Sequence, residues 1–149
     1  MEILIVGFII VALMAYVSTK IKKAAREAYE QETFENEYYR ITKPNDFIIP
    51  VKEGSESKFE TYSKEFGEDE ADKLNQCRAT VNEKDGVKYD PAVLETERVE
   101  QNITVKTVSK TLVNKELNKS FELEISVLAD YEEKFADAIK LMLDSFSLK

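Results

Sequence analysis

The chain has 149 residues, with 21 Lys and Arg against 29 Asp and Glu, a net charge of −8, no His, one Cys and four Gly. Without His or a second Cys it cannot form an internal disulfide, a His/Cys-ligated zinc or transition-metal site, or a Ser-His-Asp or Cys-His nucleophile. Gly7, Gly54, Gly67 and Gly86 are too far apart for a P-loop or a dinucleotide fingerprint, so no cofactor is expected.

Ile3–Val17 (ILIVGFIIVALMAYV) is an unbroken apolar run, followed at once by Lys20, Lys22, Lys23 and Arg26. Extended to Thr19, it covers roughly 25 Å at 1.5 Å per residue, the short end of what a spanning helix needs. Tyr16 stands where an interfacial aromatic belongs, one turn before Lys20. A cleaved signal peptide would want a basic n-region and a small-x-small cleavage site. Only Met1 and Glu2 precede the run, and Val17 is too large to end an Ala15-x-x site, so residues 1–19 are expected to be a retained transmembrane anchor. The four basic residues form a membrane collar on one side only, and the positive-inside rule then places the bulk of the chain in the cytoplasm. Ala12 and Ala15 supply no GxxxG-type face, so self-association through the anchor has no support.

Met1–Arg26 carries four basic residues against Glu2, net +3, which leaves −11 for the remainder. A domain that acidic repels nucleic acid and anionic headgroups, both of which need Lys and Arg to neutralise phosphate. Residues 20–38 read as the collar running into a polar helical stalk, since Ala24, Ala25, Glu27, Ala28 and Glu30 are strong helix formers with no break before Pro44. Residues 39–149 then form an acidic soluble α+β domain. Within it, Tyr39–Ile41 is a first strand, Lys43-Pro44-Asn45-Asp46 a turn, and Phe47–Ile49 a second strand stopped by Pro50. Gly54–Ser57 is a loop. Phe59–Phe66 suits either a strand or the approach to a helix.

Glu68–Val81 is a candidate helix with an acidic start and with Ala71, Leu74, Arg78 and Val81 at helical spacing. Cys77, Ala79 and Val81 also alternate, so a change to strand near Cys77 stays open. Lys84-Asp85-Gly86 signals a turn and Asp90-Pro91 a further boundary; Val93–Val99 is ambiguous. Ile103–Val113 is rich in β-branched residues, and Asn114–Lys119 is a polar connection. In Phe121–Val127, Phe121, Leu123, Ile125 and Val127 alternate with Glu122, Glu124 and Ser126, the pattern of a half-buried antiparallel strand. Asp130-x-x-Glu133 reads as a capping box. Tyr131, Phe135, Ala138, Ile139, Met142 and Phe146 then make one face of an amphipathic helix. The sum is a small antiparallel sheet covered by that C-terminal helix.

The run KSFELEISVLADYEEKFADAIKLMLDSFSL, Lys119–Leu148 and about a fifth of the chain, resembles the closing strand and helix of PsbP/Mog1-like domains. The resemblance implies a compact binding or assembly module, of the kind found in photosystem accessory proteins and transport-factor partners, without enzymatic activity. It carries over no functional residue, and an N-terminal cytoplasmic anchor departs from the family's usual pattern.

Remaining chemistry is sparse. Cys77 reads as a buried inert thiol in preference to one activated by Lys73 or Arg78. Glu68–Asp72 reads as a solvated face in preference to an acid/base pair or a weak Mg²⁺ or Ca²⁺ site, and Asn82–Asp90 lacks EF-hand spacing. The Asn102-Ile-Thr104 and Asn118-Lys-Ser120 sequons matter only in a lumenal domain. The expected function is a membrane-tethered, non-enzymatic accessory or assembly domain with a protein partner in or near the bilayer. The alternatives are a small-molecule or lipid binder and, behind it, a carboxylate-based enzyme.

Overall fold

The apolar run and the basic collar form one continuous helix, α1 (Glu2–Ala28), 27 residues long and without a buried residue. It is long and apolar enough to cross a membrane. The structure, a computed structural model, describes residues 1–50, 58–67, 74–86, 93–100 and 102–149. The loop expected at Gly54–Ser57, the acidic stretch Glu68–Asp72 and the Asp90-Pro91 boundary lie outside the described residues.

The helical stalk expected to run to residue 38 stops at Ala28, and Glu32–Glu35 is a strand, β1. It pairs antiparallel with β2 (Tyr39–Lys43), and Phe34 packs against the core. The domain therefore starts at β1, ahead of the expected Tyr39. Pairing with β2 outweighs the helix propensity of the preceding sequence, because it satisfies a backbone that would otherwise need a longer free helix.

β3 (Phe47–Ile48) and β4 (Glu60–Ser63) follow, the latter making the middle of Phe59–Phe66 strand and not the approach to a helix. β5 (Cys77–Asp85) decides the alternative left open at Cys77 in favour of strand, since Cys77, Ala79 and Val81 face the core opposite Val127, Ile125 and Leu123. Here the period of two prevails over the helical one. β6 (Leu94–Glu100), β7 (Ile103–Asn114) and β8 (Lys119–Leu128) complete a six-stranded antiparallel sheet of order β3-β4-β5-β8-β7-β6.

A 3-10 turn at Ala129–Tyr131 leads into α2 (Glu132–Ser145). The expected capping box does not form: Tyr131 takes the N-cap position and no side chain caps it. Glu132 and Glu133 instead place negative charge in the first turn, where the helix dipole favours it. β9 (Ser147–Leu148) returns to β2, giving a second sheet of three strands, β1-β2-β9, where a single sheet was expected.

The α+β reading stands. Phe121, Leu123, Ile125 and Val127 of β8 are buried with Phe135, Ile139, Met142 and Phe146, together with Tyr39, Ile41, Phe47 and Phe59. Phe47 meets Phe135 edge-on with ring centroids 5.7 Å apart, and Tyr39 meets Phe146 at 5.6 Å. This is a filled interior of interlocked aromatic and aliphatic side chains.

Candidate functional site

The collar residues Lys20, Lys22, Lys23 and Arg26 all lie exposed on the last three turns of α1. At 3.6 residues per turn they occupy less than half of the helix circumference, and Ile21, Ala24, Ala25 and Ala28 take the opposite side. Lys23 makes one exposed ion pair, with Glu27 at 3.8 Å. All four collar side chains thus stand at the surface of the chain.

Two residues beyond Arg26 the helix enters a joint built by the turn after β2. The side chain of Lys43 is fully buried. Its ammonium donates to the carbonyls of Ala28 (2.9 Å), Glu30 (2.6 Å) and Phe47 (2.8 Å). Three donors meet three acceptors, which is all a lysine can offer. The last carbonyls of a helix have no partner within it, and here a strand lysine supplies one. Burial pushes the Lys43 pKa down, and the nearby Glu32 and Glu30 carboxylates oppose that shift.

The rest of the turn binds the same segment. Asp46 donates its amide to the Tyr29 carbonyl at 2.8 Å, and the Asn45 side-chain oxygen accepts the Gln31 amide at 2.8 Å. Asp46 adopts φ 63°, a left-handed conformation that an aspartate tolerates better than most residues. Lys64 donates its amide to the Asp46 carbonyl and carries its ammonium 5.8 Å from the centre of the Tyr29 ring.

Beside this joint a cleft of about 390 Å³ opens between the turn, the end of β4 and α2. Phe47, Phe135, Ala138 and Leu141 give it an apolar lining, and Asp46, Lys64, Glu65, Lys134 and Asp137 bring charge to it. Lys134 is committed: it pairs with Glu65, donates to Gln76 at 2.9 Å and lies over the Phe135 ring. The hydrogen bond and charge of Lys134 hold the Glu65 carboxyl below the usual range.

Cys77 is fully buried, and burial pushes its thiol up to about 12, so it is no nucleophile. Asn102 and Asn118, the sequon asparagines, sit exposed in turns at positive φ. Among the described residues no three His, Cys, Asp or Glu side chains converge as a metal site would require. Sequence reasoning missed the joint, because Lys43 in a Lys-Pro-Asn-Asp turn reads as a solvated charge.

No protein-family model matches the chain, and no curated protein matches it. Among solved structures, the solution structure of cyanobacterial PsbP (CyanoP) from Synechocystis sp. PCC 6803 is similar, at 11% identity over 81% of this chain and 94% of that one, with a TM-score of 0.47. The run Lys119–Leu148 resembles that same family, and no residue role, ligand or partner passes from the one protein to the other.

Proposed function

We propose that the protein is a membrane-tethered, non-enzymatic interaction domain, an accessory or assembly factor held on the cytoplasmic side by a retained α1. The observation that supports this most is the continuity of an exposed apolar helix, a basic collar and a clasped joint in one element. Such a tether confines the domain near the bilayer and raises its effective concentration for a partner there. The one-sided collar supports the cytoplasmic placement.

The reading is tested by solubilising membranes in mild detergent and recovering the tagged full chain with whatever accompanies it. A defined membrane protein should be recovered with the full chain and lost with a chain lacking Met1–Thr19 that still folds. A mature N-terminus beginning after Ala15 would overturn the anchor. Labelling of a cysteine introduced at Leu117, an exposed turn residue, by an impermeant reagent on intact cells would overturn the orientation.

The cleft beside the joint favours a second reading, a small-molecule or lipid binder. Its size and its apolar lining with a few charged groups are those of a ligand site.

A further inference from the structure

Every residue between α1 and β1 is held by the domain. Ala28 and Glu30 give their carbonyls to Lys43, Tyr29 gives its carbonyl to Asp46, and Gln31 gives its amide to Asn45. The next residue, Glu32, is already paired in register with Lys43. No residue is left to serve as a hinge.

The holding elements are themselves fixed. Lys43 is fully buried and its third bond goes to Phe47, a core residue that is 1% exposed. Asp46 is tied to β4 through Lys64, and Lys64 reaches back over Tyr29. A free coil of three residues would spread its own ends by roughly 10 Å, and a domain hung on it would sweep a much wider range. The distance from the collar to the joint is also short, roughly 12 Å along the helix from Lys20 to Ala28.

We infer that α1 and the domain form a single rigid body, so that the domain is held at one tilt against the bilayer surface and keeps the cleft at a fixed place beside the helix. This rests on α1 being a membrane anchor and goes beyond it: a tether by itself allows any orientation, whereas this joint allows one. Asn45 and Asp46 both hold the segment that follows the helix and line the cleft, so an occupant of the cleft touches the residues that set the tilt.

The test uses the full chain in phospholipid nanodiscs, with nitroxides at Ala25→Cys on α1 and Lys140→Cys on α2, both exposed positions. Native Cys77 is buried and stays unlabelled. Double electron–electron resonance should give one narrow distance distribution. Lys43→Met, which keeps the apolar stem as far as Cε and removes the ammonium, should broaden it about twofold or more toward the roughly 10 Å spread of a free linker. Asn45→Ala, at an exposed position outside the core, should broaden it by less. A wild-type spread of roughly 10 Å overturns the inference whether or not Lys43→Met folds. Unchanged widths in both folded variants overturn it as well. A chain that does not enter the nanodisc overturns the tether together with the inference; one that enters but shows broad distances overturns the rigid joint alone.

Discussion

The Lys43 ammonium donates to the Ala28 carbonyl at 2.9 Å, so a strand residue closes the end of a helix fifteen residues earlier in the chain. Lys110 repeats the device at the other helix. From β7 it donates to the carbonyls of Leu143 (2.6 Å) and Phe146 (3.1 Å) at the end of α2. In both places a cation meets the negative end of a helix dipole and satisfies carbonyls the helix cannot.

Lys43→Met should destabilise the domain by about 1–3 kcal/mol, the usual cost of leaving a buried acceptor without its donor. The carbonyls of Ala28 and Glu30 belong to exposed residues and regain water, so most of the loss falls on Phe47. Thermal unfolding of the full chain in detergent reads the effect, with Lys140→Met, an exposed change on α2, as the comparison. Equal midpoints for the two variants would contradict the buried cap.

Lys110→Met should cost about 1–2 kcal/mol by the same reasoning. Its signature is local. Amide exchange should speed up at the last turn of α2 and at β9 while β8 keeps its protection, and an unaltered last turn would show that Lys110 caps nothing.

Ile139→Ala removes a buried face residue of α2 and should cost about 2–5 kcal/mol, whereas Lys140→Ala should change stability little. Chemical denaturation separates the two. A similar loss from both would mean that α2 does not pack on the sheet.

Cys77, with its thiol pushed up to about 12 and no exposed surface, should resist a thiol reagent at pH 8 in the folded chain and react at once in denaturant. Cys77→Ser should fold with a modest packing penalty. Fast labelling of native protein would place the thiol at the surface.

Two exposed ion pairs set a dependence on acid. The hydrogen bond and charge of Lys149 lower the Glu35 pKa, and those of Lys134 lower that of Glu65. A carboxyl with a folded pKa below its unfolded one stabilises the fold at pH above the ordinary carboxylate value, and loses that contribution as the pH falls through the depressed value. Lys149→Gln should therefore raise the Glu35 titration midpoint seen by carboxyl NMR, leaving Glu65 where it was. A Glu35 midpoint indifferent to Lys149 would remove the pair from the fold's acid response.

What could be read from the sequence was what is encoded locally. β8 and the buried face of α2 each carry their own period, two in Phe121–Val127 and the helical one in Phe135–Phe146, and both pack as that period requires. β1 has a single apolar residue, Phe34, and becomes a strand only because β2 lies beside it. β5 carried two periods at once, and its partners on β4 and β8, distant in sequence, decided between them. The end of α1 had no Gly or Pro to announce it, since its stop is the ammonium of Lys43. The joint depends on one of several lysines being buried, which nothing in its immediate neighbours reveals.

A helix that is clamped at its end also has a phase. Each residue added between the collar and Ala28 would turn the domain about 100° around the helix axis and lift it about 1.5 Å. Two added residues would swing the cleft to nearly the opposite bearing, while seven would bring it back to within about 20° of where it began, roughly 10 Å further along the helix axis. For a strut of this kind, the count of residues between Arg26 and Ala28 is an azimuth, and changes in its length are equivalent only when they add close to a whole number of turns.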